Sequence, residues 1–451
     1  METISTISVL GAGYVGLTTA ALLAHAGYKV HIIEPNKERL DIIKTGKSFF
    51  YEEGLDSVIR TALDMGTLLP SSTYKGVAES SVIFSCVGTP DNPDGSSNLT
   101  YVFSAAEEAA KLAQPGAIYV QKSTVPVGTG VRIEELFASL KKKIEYVSNP
   151  EFLREGTALY DTLYFDRVVA GGRDRVAVGK ILDIYMELEK FRDHISHIAR
   201  IPSGPRGDQY IATTLNSAEL IKVTSNAFLA LKISFANSIA ILADKADADV
   251  VEVMDAVGAD NRIGRAFLNA GRGYGGGCFP KDVSGLISSG LDYGVNLDIM
   301  QAAQAVNAAM PGYVVDKLLD AVGEPLTNKK VAVLGLSFKA GTSDVRKSPG
   351  IAIANKLTQA GAKVIAYDPQ AHEEAAPDLH EDIIQVKTIG EAVTGADIVM
   401  ITTEWQDILE YPPNEFAEKM SGTIIFDAVN QYDALGTTHA GLQYIGVGHS
   451  V

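Results

Sequence analysis

ISVLGAGYVGLTTAALLAHAGYKVHIIE, residues 7–34, is the stretch on which the fold turns. Residues 4–10 are β-branched and loosely alternating, as in a buried strand. GAGYVG follows, with Gly11, Gly13 and Gly16. Residues 17–26 read as a helix that ends at Gly27, and KVHIIE reads as a second buried strand closing on Glu34. Strand, glycine turn, helix, strand and acid together form a dinucleotide-binding pattern. Gly11 permits the tight turn, Gly13 lets the backbone approach a pyrophosphate at the helix N-terminus, and Gly16 lets the helix lie close on the strand. Glu34 suits the hydroxyls of an adenosine ribose and repels a 2′-phosphate, so the pattern favours NAD over NADP.

Further strands run into loops of the same kind. SVIFSCVGTP leads to residues 88–90, AIYVQKSTVPVGTG to Ser123 and Thr124, and IEYVSNPEFLREG to Glu151 and Glu155. In an open parallel sheet the ligand lies off the carboxyl ends of the strands, so each loop is a candidate wall of one site. Position alone leaves Thr124 and Glu155 open to a plainer role as a helix cap or solvated loop residue. Cys86, at a strand end, reads as a small buried hydrophobe.

VAVLGLSFKAGTSDVRKSPGIAIANKLTQAGAKVIAYDP, residues 331–369, repeats the opening pattern: a strand ending VLG, a helix ending in AG, and a strand ending in acid-Pro. It has about ten more residues before the acid and no GxGxxG, so it reads as a second doubly wound module with a rebuilt phosphate loop. That loop carries Lys339, Arg346 and Lys347, which are either a basic patch for an anionic ligand or a solvated charged face. Between the modules, residues 199–209 are rich in Pro and Gly and read as a linker or mobile loop. Residues 215–247 contain no Gly or Pro and read as one long helix, apolar on most faces and therefore buried. Lys222 and Asn226 share a face of it; the lysine needs either an acid partner or a site to point into.

The whole is an α/β chain of two doubly wound, Rossmann-like modules joined by a long central helix and helical domain. The expected domains are residues 1–200 for NAD binding, 210–315 for a central helical dimerisation domain, and 325–451 for the second Rossmann-like module. The 451 residues, 46% hydrophobic and 21% charged, are ordinary for a globular chain of this size. A net charge of −16 argues against nucleic acid and anionic membranes as partners. Two cysteines far apart form neither a disulfide framework nor a metal pattern, and no metal is expected. The N-terminus lacks the basic flank of a signal peptide, so a cytoplasmic location is expected. The long helix suggests a homodimer.

Cys278 stands in AGRGYGGGCFPKD, residues 270–282, a thiol inside a glycine run. With GAGYVGL, CVGTP, STVPVGTG, NPEFLREG, ELIKVTSNAFLALKISFANSIA and GLSFKAGTSDVRKSP in the same order, the chain resembles the UDP-glucose/GDP-mannose dehydrogenase family over essentially its full length. The resemblance implies a four-electron oxidation of the C6 alcohol of a nucleotide-linked hexose, with two NAD reduced, and assigns UDP-sugar binding to residues 325–451. Cys278 would capture the intermediate aldehyde as a thiohemiacetal, and the second oxidation would leave a thioester. Lys222 and Asn226 match donors to the developing oxyanion. Asp282 with Thr124 matches the pair that positions a water, and Glu155 the base that activates water against the thioester. The glycines would let backbone and sugar crowd around the sulfur, and Lys281 and the loop amides would favour the thiolate.

Other positions carry over as binding contacts. Val15, Glu34, Arg39, Thr89, Thr124, Glu155, Lys281 and Arg346 match NAD contacts, beside Gly11, Gly13 and Gly16. The segment Glu151, Phe152, Leu153 and Arg154, then Lys222, Asn226, Phe267, Leu268, Gly271, Gly275 and Lys339, match contacts to the sugar nucleotide. Arg262 resembles an arginine that reaches a neighbouring subunit's sugar.

Three departures stand out. Gly277 replaces a common Ser. Val429 replaces an arginine that in many members helps hold the diphosphate. SFFYEEGL, near residue 48, lacks the usual proline. GYGGGCFPKD and DNRIGRAFL favour UDP-glucose, oxidised to UDP-glucuronate. GDP-mannose and a UDP-N-acetylhexosamine are the alternatives within the family. A two-electron hydroxy-acid dehydrogenase and a non-catalytic nucleotide-sugar sensor are the alternatives outside it.

Overall fold

The computed structural model describes residues 5–205 and 209–449. Its chain divides into two compact units, Met1–Ser225 and Asn226–Val451. The first holds an eight-stranded sheet: β1 (Thr6–Leu10), β2 (Lys29–Ile33), β3 (Leu68–Ser71), β4 (Val82–Ser85), β5 (Ala117–Gln121), β6 (Ile144–Ser148), β7 (Arg167–Gly172) and β8 (Gln209–Thr213). Their order is β3-β2-β1-β4-β5-β6-β7-β8. Every pair is parallel except β6 with β7. The second unit holds β9 (Lys330–Leu334), β10 (Lys363–Tyr367), β11 (Ile384–Val386), β12 (Ile398–Ile401), β13 (Ile424–Asp427) and β14 (Gln443–Gly446), in the order β11-β10-β9-β12-β13-β14.

Both sheets therefore share the strand order of a doubly wound dinucleotide fold, with the reversal beside β1 in one and beside β9 in the other. The strands are buried on both faces: Ile7, Val9, Val30 and Ile32 on one face of the first sheet and Leu10, Ile33 and Ile83 on the other, and in the second sheet Val331, Val333 and Met400 against Ala332, Leu334 and Val399. Parallel register puts Leu10 opposite Ser85, so the turn after β1 meets the loop after β4 at the switch point.

The long helix runs Leu215–Ala246, close to the expected bounds, and the division between the units falls inside it. Residues 210–315, expected as a domain of their own, stand across that division. Of the proline- and glycine-rich stretch 199–209, residues 206–208 lie outside the described residues. The helix is not covered on every side, contrary to the expectation from its composition. Ala230, Ala236, Ala240 and Ala243 are buried, but Phe228, Phe235 and Leu242 are 58%, 48% and 61% exposed. The spacing of seven lines those three up on one outward stripe. Composition reports how apolar a helix is, not which stripe its neighbours reach.

Two buried carboxylates tie the first unit together. Glu219, on the long helix, accepts hydrogen bonds from Gly128 N and Gly130 N at 2.8 Å each, at the start of the helix Thr129–Ser139. Glu52, in the SFFYEEGL stretch, accepts from Gly156 N and Leu159 N at 3.0 Å each. Burial pushes each carboxyl up to about 7 from an ordinary 4.5, and the backbone bonds pull the other way. Each group thus holds its proton more tightly folded than unfolded. The folded chain binds more protons between about pH 4.5 and 7, and stability falls as pH rises through that window. Replacing Glu219 with Gln should remove its share of the fall, up to about 3 kcal/mol. Urea unfolding of the variant and the parent from about pH 5 to 8 checks this; parallel curves would exclude it.

Candidate active site

The glycine turn behaves as its pattern predicts. Gly11 has φ +88°, and its N–H donates to Ile33 O at 2.8 Å. A Cβ on Gly16 would lie 1.9 Å from Gly11 O, so only glycine lets the helix Tyr14–His25 close on the turn. A Cβ on Gly13 would meet no atom within 4 Å, which leaves room for a ligand over the helix N-terminus. Glu34, buried just past β2, accepts from Ala12 N at 3.2 Å and Asn36 N at 2.9 Å. Its carboxylate is fixed where a ribose would be read. Val15 packs on the first unit's core at the start of the helix. Arg39 lies over the Phe49 ring at 4.8 Å. These residues fit an NAD dinucleotide.

The loops after β4, β5 and β6 carry the other expected positions. Thr89 is buried after β4, and Thr124 follows β5 half-buried. Cys86 is buried, its thiol pushed up to about 12, which makes it an inert hydrophobe. After β6, the NPEFLREG loop is anchored at both ends. Asn149 Nδ2 donates to Val169 O at 2.7 Å, and Asn149 Oδ1 accepts from Tyr185 Oη at 2.6 Å. That hydroxyl in turn accepts from Lys122 Nζ at 2.8 Å. The far anchor is Glu52, on Gly156 N.

Between the anchors, Glu151 accepts from Leu153 N at 2.7 Å and pairs with Lys222 Nζ at 3.0 Å. The side chains of that pair are only 9% and 4% exposed. Of the two readings of Lys222, the acid partner is present, and the partner is itself an expected substrate contact. Phe152 has the Arg167 guanidinium 3.9 Å from its ring centroid and Lys222 Nζ at 5.4 Å. Arg154 makes a two-pronged pair with Asp161, at 3.0 and 2.6 Å. Half-buried Glu155 stands between Arg154 and the Gly156 anchor.

In the second unit, Cys278 is exposed and caps the N-terminus of the helix Phe279–Asp292, where the helix dipole favours negative charge on sulfur. One turn on, Asp282 is 2% exposed and gripped from both sides. Asn226 Nδ2 donates to Oδ2 at 2.6 Å, and Lys281 Nζ pairs with Oδ1 at 2.6 Å. Lys281, expected beside the thiol, is thus engaged with the neighbouring carboxylate.

Contacts within the chain also bear on the glycine run. Gly276 has φ +82°, donates to Arg346 O at 2.8 Å, and would bring a Cβ within 2.7 Å of the Phe338 ring. A Cβ on Gly277 would come within 2.3 Å of the Arg346 guanidinium. The protein's own 338–347 loop crowds this backbone. Arg346 itself forks onto Asp344 at 2.8 and 2.6 Å. Lys339 Nζ lies 5.7 Å from the Phe338 ring.

The remaining expected contacts also fall in this unit. Phe267 adopts φ +66°, a strained angle for a bulky residue, and its ring is 6.1 Å from that of Phe279. Leu268 is buried, and Gly271 N donates to Asn237 Oδ1 at 2.8 Å. A Cβ on Gly275 would lie 2.3 Å from Lys347 O. Arg262 is 89% exposed and pairs with Asp260.

The second module uses its acid differently from the first. Asp368 Oδ2 accepts from Leu336 N, Ser337 N, Ser337 Oγ and Trp405 Nε1, and Oδ1 from Gln370 N and Ala371 N. It closes its own turn, where Glu34 keeps capacity for a ligand. Sequence reading missed Glu52, the Lys122–Tyr185–Asn149 relay and Arg272, none of which belongs to a recognisable spacing.

Comparison with known proteins agrees with this geometry. The UDP-glucose/GDP-mannose dehydrogenase family matches in three parts: its NAD binding domain at residues 5–189, its central domain at 216–309 and its UDP binding domain at 332–434. The chain is 38% identical over 446 residues to UDP-glucose 6-dehydrogenase YwqF of Bacillus subtilis, covering 98% of this chain and 97% of the relative. It is 36% identical over 448 residues to UDP-glucose 6-dehydrogenase of Rhizobium meliloti, covering 98% and 99%. A solved UDP-glucose dehydrogenase from the archaeon Pyrobaculum islandicum superposes with a TM-score of 0.87 at 34% identity, covering 99% of this chain and 98% of that one. The chain belongs to the UDP-glucose/GDP-mannose dehydrogenase family, and its first module is that family's NAD-binding domain.

Proposed function

We propose that the chain oxidises the C6 hydroxymethyl group of UDP-glucose to the carboxylate of UDP-glucuronate, with two NAD reduced per sugar. The likeness to relatives named for UDP-glucose supports the choice of sugar. The observation that carries the chemistry is the turn bearing exposed Cys278 and clamped Asp282.

Bound NAD supplies the hydride acceptor in each oxidation, held by the turn at Gly11, Gly13 and Gly16 and by Glu34. In the first oxidation a water held by Asp282 and Thr124 takes the hydroxyl proton. Lys222 and Asn226 donate to the oxygen as its negative charge grows. Its pairing with Glu151 holds the Lys222 ammonium in place for that task. The aldehyde formed has no hydride to give until a nucleophile adds. The Cys278 sulfur bonds to C6 and the carbonyl oxygen gains a proton, giving a tetrahedral thiohemiacetal. Loss of the second hydride and of that proton leaves a thioester. A water deprotonated by Glu155 attacks it, the C–S bond breaks, and the thiolate is restored. One alcohol, one water and two NAD⁺ give one carboxylate, two NADH and three protons.

We also read the outward stripe of Phe228, Phe235 and Leu242 as the face on which a second copy of the chain pairs.

Two NADH per UDP-glucose, with no free aldehyde, are expected. Cys278→Ser should lower carboxylate formation by at least about 10³-fold. A normal rate of acid formation in that variant, measured by product chromatography beside NADH absorbance, would refute the thiol route. GDP-mannose and UDP-N-acetylhexosamines, assayed alongside, should give lower kcat/KM. Phe228→Glu combined with Phe235→Glu should halve the mass seen by light scattering, whereas an unchanged mass would place the pairing face elsewhere.

A further inference from the structure

We propose that Arg272 supplies the positive charge that meets the diphosphate of the nucleotide sugar in the second unit. The inference deepens the reading above and rests on it. The place of the residue is the first argument. Arg272 N donates to Ala428 O at 2.8 Å, in the loop after β13. Its Nη1 and Nη2 donate to Phe338 O at 3.1 and 3.0 Å, after β9, and Nη2 reaches Glu404 Oε2 at 3.3 Å, after β12. One arginine is thus bonded to the loops after three strands, at the edge and switch point where an open sheet of this order takes its ligand.

The second argument is its incomplete neutralisation. Arg272 is 4% exposed, and its Nε makes no hydrogen bond among the described residues. Glu404, 28% exposed, is the one carboxylate in salt-bridge range among those residues, at 3.3 Å. Asp368, which also acts on the guanidinium through space, is already surrounded by its own donors. Burial draws the guanidinium's pKa down, with Glu404 pulling it back. A buried cation with one part-exposed counter-charge is costly, and a phosphate anion offsets that cost.

The third argument is the absence of a base from the loop after β13. The loop after β13, residues 428–433, reads AVNQYD and holds no cation. Val429 is buried, and a Cβ on Gly271 would lie 3.5 Å from Val429 Cα, so Arg272 follows directly on the residue that abuts this position. Arg346, in the loop after β9, is forked onto Asp344. In a chain of net charge −16, a diphosphate needs a local cation, and the planar fork of arginine suits it.

The test is calorimetric binding of UDP, uridine and NAD to the full-length chain, its Arg272→Gln and Val429→Arg variants, and the two combined. Arg272→Gln should weaken UDP by about 10- to 100-fold and uridine by less than about 3-fold, with NAD unchanged. Val429→Arg should restore UDP affinity in the combined variant by at least about 5-fold. Equal losses for UDP and uridine, or no loss of UDP, would overturn the proposal while leaving the dehydrogenase reading in place. A parent chain that binds no UDP overturns both. Should Arg272→Gln not fold, Arg272→Lys is read the same way: a selective loss of UDP supports the role, and an equal or absent loss removes it.

Discussion

The Asp282 carboxylate, held between the Asn226 amide and the Lys281 ammonium, is the interaction on which the reactive turn depends. A carboxylate 2% exposed needs donors in place of the water it has lost. Two donors do so here, one from the long helix and one from its own turn. The grip fixes the first turn of the helix Phe279–Asp292, and with it Cys278 at the N-cap. Lys222 lies one turn before Asn226 on the same long helix and carries its own buried partner, Glu151. Chemistry-bearing side chains are thus set by packed helices and paired charges rather than by free loops.

The two doubly wound modules show one topology put to two uses. Strand order and register agree, and each second strand ends in an acid. Glu34 spends its carboxylate on two backbone N–H groups, Asp368 on a full shell of backbone and side-chain donors. A saturated carboxylate has no lone pair left for a ribose, so the second module must recognise its ligand by other groups. That shifts interest to the loops around β9, β12 and β13, where Arg272 meets all three.

Glycine illustrates how one residue type answers different constraints. At Gly16 it allows helix and strand to close; at Gly13 it leaves space open; at Gly276 and Gly277 it lets one loop of the protein press on another. The GYGGGC run reads in sequence as room for a substrate. Its spacing could not reveal that Phe338 and Arg346, about sixty to seventy residues on, lie against it. The same limit hid Glu52. Its loop departs from the common wording, yet its carboxylate holds the turn next to Glu155 across more than a hundred residues.

What the sequence by itself determined is what local pattern carries. The strand–turn–helix–strand units, the repeat at residue 331, the bounds of the long helix and the ordered motifs of the family all follow from spacing along the chain, because backbone periodicity and turn chemistry act between near neighbours. Tertiary structure alone decided which charges pair, which glycines are crowded and which stripe of the long helix stays exposed. Lys222 with Glu151, Asn226 with Asp282, and Arg272 with the loops after β9, β12 and β13 each join residues far apart in the chain. Such contacts depend on how sheets and helices stack, and a buried charge takes whatever partner that stacking brings within hydrogen-bond reach.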